Sequence, residues 1–228
     1  MRQVFILLLA MASFNVAILP AAAQRPPSPS DVEGYDGLHQ AAHVGDVAAI
    51  RALVAEGSDL EARDRAGRTP LHVAAFASKD DAVRVLVEMG ADLNALENQA
   101  YDIVTIAAVA NDLDMVDLAL KLGTDPGNIT SPYDGTALIA AAHLGHHEVV
   151  RRLIEGGAPL DHVNNLHWTA LMEAVVLGDG GPDHVAIVRA LMDAGADQTL
   201  ADREGVTPIE HARMRGYDDM IEILENAD

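Results

Sequence analysis

Three histidines lie close together in this sequence, His143, His146 and His147, with Glu148 beside them. Imidazoles and a carboxylate at such spacing are the raw material of a zinc site, which needs three or four ligands converging at fixed geometry. The His-Glu-x-x-His pattern that places two ligands on one helical face is missing. There is no cysteine, so disulfides, thiolate nucleophiles and thiolate metal sites are excluded. The serines beyond residue 23 are Ser28, Ser30, Ser58, Ser78 and Ser131, and none sits in a Gly-x-Ser-x-Gly elbow. Gly178-Asp179-Gly180-Gly181 lacks the Lys-Ser/Thr that follows a phosphate-binding loop. These residues assign no catalytic group, no cofactor and no metal ligand set. A histidine-based metal protein stands as the weakest of three functional readings.

The elements that must carry these side chains repeat. Equivalent positions fall at Asp36, Thr69, Asp102, Thr136, Thr169 and Thr207, at intervals of 33, 33, 34, 33 and 38 residues. A period in this range describes a stacked, quasi-linear solenoid in which each unit touches its neighbours. In the second copy Thr69 is an N-cap and Pro70 suits the first helical turn, where a missing N–H costs nothing. Leu71, Ala74 and Ala75 then share one face of a first helix. Asp80 is expected to cap a second helix with Val83, Leu86 and Val87 inward, and Gly90 ends it. The polar stretch between helix pairs reads as a protruding hairpin-like loop, a finger. The third copy is degenerate: Asp102 replaces the threonine and Asn111 replaces glycine, yet Asp102 still caps. The fifth carries an insertion, Gly178-Asp179-Gly180-Gly181-Pro182-Asp183, that reads equally as a functional loop or a neutral flexible one.

The formal charge is −20; residues 1–23 hold one Arg and no acid, so their removal takes it to −21. That balance opposes binding to nucleic acid and to anionic membranes, which need basic faces. It permits a basic protein partner. Arg2 precedes an apolar run from Val4 to Leu19, then Pro20 and Ala21-Ala22-Ala23. This is a secretory signal with cleavage expected after Ala23, shorter than the ~20 residues of a spanning helix. An uncleaved anchor is the alternative. Arg25-Pro26-Pro27-Ser28-Pro29 reads as an extended tether over residues 24–35. A periplasmic or secreted monomer with no later membrane span is expected.

Thr69-Pro70-Leu71-His72 with Ala74-Ala75, Gly145-His146 and Gly195-Ala196-Asp197 resemble the ankyrin repeat over about residues 36–228. The export signal and Asp202-Arg203-Glu204-Gly205-Val206-Thr207-Pro208 make the chain similar to small exported bacterial ankyrin proteins. The resemblance implies an all-α repeat solenoid of six stacked helix-turn-helix units with short β-turn fingers, at about 36–66, 67–99, 100–133, 134–166, 167–204 and 205–228. It implies protein binding through finger tips and the inner-helix surface, and a structural role for His146, with His39 and His72 buried and hydrogen-bonded.

Register places Arg68, Tyr101, Tyr133 and Trp168 on the finger side, and Phe76 and His143 at inner-helix ends. These six are the expected partner contacts. Tyr and Trp bury much area at low entropic cost and are enriched at hot spots. Three aromatic residues on neighbouring fingers would form a stripe; packing against adjacent loops is the competing arrangement. The favoured function is a non-enzymatic protein-binding module. The alternative is an inhibitor or immunity-type protein that neutralises a basic exported enzyme or toxin.

Overall fold

A computed structural model describes residues 24–226. The expected signal peptide and the C-terminal Asp228 lie outside the described residues. Among the described residues the chain is helical, with one isolated bridge, Thr130 to Gly135, and no strand.

After a short α1 (Pro29–Glu33), the helices come in antiparallel pairs. They are α2 (Gly37–Val44) and α3 (Val47–Ala55), then α4 (Pro70–Phe76) and α5 (Asp80–Glu88). Next are α6 (Ile103–Ala110) and α7 (Leu113–Leu122), and α8 (Ala137–Leu144) and α9 (His147–Glu155). Last are α10 (Ala170–Val176) and α11 (Pro182–Asp193), and α12 (Pro208–Arg215) and α13 (Asp218–Glu225). First helices pack on first helices in one row, and second helices on second helices in another. Hydrophobic residues from both rows form one continuous core. Alanines at the row contacts, such as Ala74, Ala75, Ala107, Ala108, Ala141, Ala142 and Ala174, are buried and let neighbouring helices approach.

Each first helix starts where its sequence supplies a cap. Thr69, Asp102, Thr136 and Thr169 accept a hydrogen bond from the third helical N–H, satisfying a donor the helix leaves open. Asp36 has the extended backbone of a cap but makes no such bond. Asn111 replaces glycine in the left-handed conformation at φ 55°, which Asn tolerates better than most residues. The degenerate third copy therefore keeps both of its helix boundaries.

Two local expectations change. Asp80 is the first residue of α5, and Lys79 holds the cap position. The Asp80 carboxylate faces the positive end of the helix dipole rather than bonding as a cap. The stretch read as an extended tether folds at its centre: Ser28 and Asp31 form a reciprocal capping box around α1, with Pro29 in the first turn. Proline blocks a helix interior but not its first residue. No described helix is long and apolar enough to cross a membrane.

Candidate partner-binding face

The fingers share one backbone device. The Asp64 carboxylate accepts from Ala66 N at 2.8 Å and Arg68 N at 2.9 Å through Oδ1. Glu97 Oε1 accepts from Gln99 N at 2.8 Å and Tyr101 N at 3.2 Å. Asn164 Oδ1 accepts from Leu166 N at 2.9 Å and Trp168 N at 3.0 Å. Asp202 Oδ1 accepts from Glu204 N at 3.0 Å and Val206 N at 2.8 Å. One oxygen thus closes each turn, and the other atom is left for a second task. Thr130 takes the same register without a long acceptor; its finger closes through Thr130 N to Gly135 O at 2.8 Å. Adjacent fingers are laced together by Asn98 N to Ala66 O at 3.0 Å, Ser131 N to Ala100 O at 2.7 Å and Asn165 N to Tyr133 O at 2.9 Å. Arg203 extends the lacing to the Asn165 carbonyl.

Two expected contacts turn inward. Arg68 is 2% exposed. Its Nε donates to Asp64 Oδ2 at 2.7 Å and its Nη2 pairs with Asp31 Oδ2 at 3.1 Å. The Tyr35 hydroxyl donates to the same Asp64 oxygen at 2.9 Å. The Ser28 N–H and then Arg68 hold the Asp31 carboxyl down to about 2. Arg68 is therefore a clamp for the N-terminal segment and is unavailable to a partner. Tyr101 is 6% exposed, and burial pushes its phenol up. Its carbonyl accepts from His72 Nε2 at 3.1 Å and from Glu97 N at 3.1 Å. The three-finger aromatic stripe does not form, because Tyr101 joins the core and Gly135 occupies the equivalent place in the next finger.

The other four lie nearer the surface. Phe76 is half-buried against the core at the end of α4. Tyr133 and Trp168 are half-buried on fingers joined by the Asn165–Tyr133 bond. His143 is 33% exposed at the end of α8. The same fingers expose Ile129, Val163 and Leu166, which the sequence reading missed. Their signal is an apolar side chain inside a polar loop, as in Asp161-His162-Val163-Asn164, where no core lies within reach.

Glu173 was also missed. It is 3% exposed in α10, at the register filled by Val73, Ile106 and Ala140 in the middle units and by Gln40 and His211 in the terminal ones. Asn164 Nδ2 donates to its Oε1 at 3.0 Å, and His143 Nδ1 donates to its Oε2 at 3.1 Å. One polar network therefore joins the exposed His143, the buried Glu173, Asn164 and the Trp168 turn. Its legible sign was a charge where the three preceding units carry Val73, Ile106 and Ala140.

Several other histidines are separately engaged. His72 is fully buried: Nε2 donates to Ala95 O at 3.0 Å, and Nδ1 faces the Thr69 hydroxyl at 2.8 Å. Burial lowers it to about 4. His39 bonds Arg68 O at 3.0 Å as expected, but it is half-buried rather than buried, because the first unit has no preceding finger to cover it. His146 donates to Val109 O at 3.3 Å, and burial lowers its pKa. His147 faces Asp183 at 3.0 Å and Glu148 at 3.3 Å. The rings of His143, His146 and His147 thus turn to different partners and do not converge. The glycine-rich insertion is a built turn. Asp179 Oδ1 accepts from Gly181 N at 2.8 Å, and Tyr217 donates to Gly178 O at 3.1 Å. His184 Nε2 donates to His143 O at 3.3 Å. A side chain at Gly178 would lie 2.1 Å from Ala174 O, so glycine is required there.

Paired helices stacked in two rows and laced by fingers define an ankyrin-type solenoid. The family model for ankyrin repeats (3 copies) matches residues 7–97 and 104–202, and the chain belongs to this family. It is 37% identical over 98 residues to the ankyrin repeat protein YahD of Escherichia coli K12. That match covers 42% of this chain and 49% of YahD, so the chain spans about half the length of this relative. The ankyrin repeat domain ABAYE2397 of Acinetobacter baumannii AYE is 42% identical with a TM-score of 0.78, covering 83% of this chain and 96% of that one. A further likeness is to a chain in the complex of the predatory endopeptidase Bd0816 of Bdellovibrio bacteriovorus with immunity protein Bd3460. It is 25% identical with a TM-score of 0.69, covering 85% of this chain and 99% of that one.

Proposed function

We propose that this protein is a non-enzymatic protein-binding module of six repeats, exported by a cleaved signal peptide and monomeric. Its partner docks on the fingers before α8 and α10 and on the adjoining end of α8. The observation that carries the reading is the joining of exposed apolar residues to a fixed polar network. Ile129, Tyr133, Val163, Leu166 and Trp168 offer apolar area on laced loops. Glu173 and Asn164 fix His143 beside the Trp168 turn. Rigid presentation lowers the ordering cost of association. Phe76 stands further along the same row of first-helix ends. Affinity capture from the exported fraction is the test. The wild-type chain is expected to retain one protein that a Leu166→Ala, Trp168→Ala variant does not. Equal retention by the variant would reject this face.

A second reading is favoured by the likeness to a chain in the endopeptidase–immunity protein complex. Here the bound partner is a basic exported enzyme or toxin, and binding silences it. The net charge of −20 supports attraction to a basic surface. A complex held in this way weakens steeply with salt. A captured partner that keeps full activity in the complex would overturn it.

A further inference from the structure

Two imidazole rings flank the glycine-rich insertion of the fifth unit, and each has oxygen acceptors at both of its nitrogens. His184 lies in a slot between the insertion and the turn after α8. A Cβ at Gly178 would come within 2.8 Å of its ring and one at Gly145 within 3.1 Å, so both glycines make room for it. Its Nδ1 faces Asp179 Oδ1 at 3.2 Å and its Nε2 faces the His143 carbonyl at 3.3 Å. His147, the first residue of α9, has Asp183 Oδ1 at 3.0 Å from Nδ1 and Glu148 Oε1 at 3.3 Å from Nε2. A neutral imidazole carries one N–H and can donate to one acceptor; an imidazolium carries two and serves both. The two acids of the insertion, Asp179 and Asp183, thus each face one ring, and one of those rings belongs to the preceding unit.

We infer that His147 and His184 form a proton-operated latch. With both rings cationic, the insertion is fastened to the end of α8 and the start of α9; as pH rises, each ring gives up one of its two bonds and the insertion comes loose from the fourth unit. A junction that closes around two imidazolium rings takes up protons on closing, so acid favours the closed form. The other groups around the rings fit this. Glu155, Asp193 and Asp219 border the same groove as His147, against two bases, Arg151 and Arg189. Arg151 lies 3.7 Å from Glu148 and shares that carboxylate, which leaves Asp183 as the firmer partner of His147. The positive end of the α9 dipole opposes charge on His147, and the two carboxylates offset it. His146 donates to Val109 O and burial lowers its pKa, so it adds no charge beside His184. His143 turns its ring to Glu173 and gives the latch only its carbonyl. On the far side the insertion is held without titration in this range, by Tyr217 donating to Gly178 O at 3.1 Å. The latch therefore works at the junction of the fourth and fifth units and stands apart from the identity of any partner.

The test is amide hydrogen exchange of the mature chain at about pH 5.5 and about pH 8, across the range in which imidazole changes charge, with rates corrected for the intrinsic pH dependence of exchange. The amides of Gly181 and Val185 close the insertion on Asp179 Oδ1 and on Gly181 O. Their protection is expected to be about threefold or more greater at the lower pH. Amides of α4 should move the other way, because the buried His72 resists protonation in the folded chain. Histidine 15N spectra at the lower pH should show both nitrogens of His147 and of His184 protonated. His147→Gln with His184→Gln is expected to abolish the gain in protection. Asp179→Asn with Asp183→Asn is expected to abolish it too; both sites are exposed, and asparagine keeps the turn bond to Gly181. Equal corrected protection at the two pH values in the wild type, or an undiminished gain in either double variant, would overturn the proposal. Capture through Leu166 and Trp168 is read at a single pH, so either reading can fail alone.

Discussion

In the finger before α4, Asp64 spends its second oxygen on Arg68, whose charge is permanent in water, and Arg68 reaches on to Asp31. In the finger before α10, Asn164 spends its amide nitrogen on Glu173, which holds His143. Both fingers close their turns with the same pair of backbone bonds. The difference lies in the leftover atom. At the N-terminal end it faces inward, and the cation it holds is sealed and fastens α1 to the body. Toward the C-terminal end the chain of bonds surfaces at a partly exposed ring next to apolar finger residues. A repeat can thus keep its loop geometry with one atom and use the other for either assembly or recognition.

Removing the N-terminal clamp should have the largest effect. Arg68→Ala leaves Asp64 and Asp31 without their cation and opens a cavity, costing about 4 kcal/mol. Urea unfolding with hydrogen exchange should show α1, α2 and α4 opening first. An unchanged midpoint would mean that the clamp contributes nothing.

Acid should come next, again at the N-terminal side. His72 has its folded pKa lowered by burial from 6.5 to about 4. Between those values the unfolded chain binds the extra proton, so stability falls as pH drops from about 6.5 toward 4. The loss approaches roughly 3 kcal/mol once pH is below both values. A His72→Leu variant, whose packing differs but which cannot titrate, should show a flatter profile over that range. Equal slopes would remove His72 from the acid response.

The network at His143 should respond least in stability. Glu173→Leu removes a buried, paired charge but leaves the buried Asn164 Nδ2 without its acceptor, so the net cost is about 2 kcal/mol. A loss as large as that of Arg68→Ala would make Glu173 a second structural clamp and erase the contrast.

Much of the scaffold was legible in the residues. The 33-residue period, Thr-Pro at helix starts and alanines on packed faces each have one physical reading, and the helices fall where they predict. Even the degenerate copy was readable, since Asp102 can cap and Asn111 can adopt the left-handed turn. The site was less legible. Arg68 and Tyr101 occupy the finger side in register, but register does not say whether a side chain points out or folds under the next loop. Burial of Arg68 depends on Asp31, contributed by a segment whose prolines read as extended. Glu173 required knowing that Asn164 and His143 of the preceding unit converge on it, the latter from 30 positions away.

The account turns on recognition residing in the fingers before α8 and α10. Its most direct test is the dissociation constant of the captured partner for three chains: wild type, Leu166→Ala with Trp168→Ala, and Glu56→Lys with Glu88→Lys on the second-helix row. The finger variant should bind about 30-fold more weakly or worse with an unchanged unfolding midpoint, and the second-helix variant should stay within about threefold of wild type. Wild-type affinity in the finger variant, with loss in the second-helix variant, would contradict it.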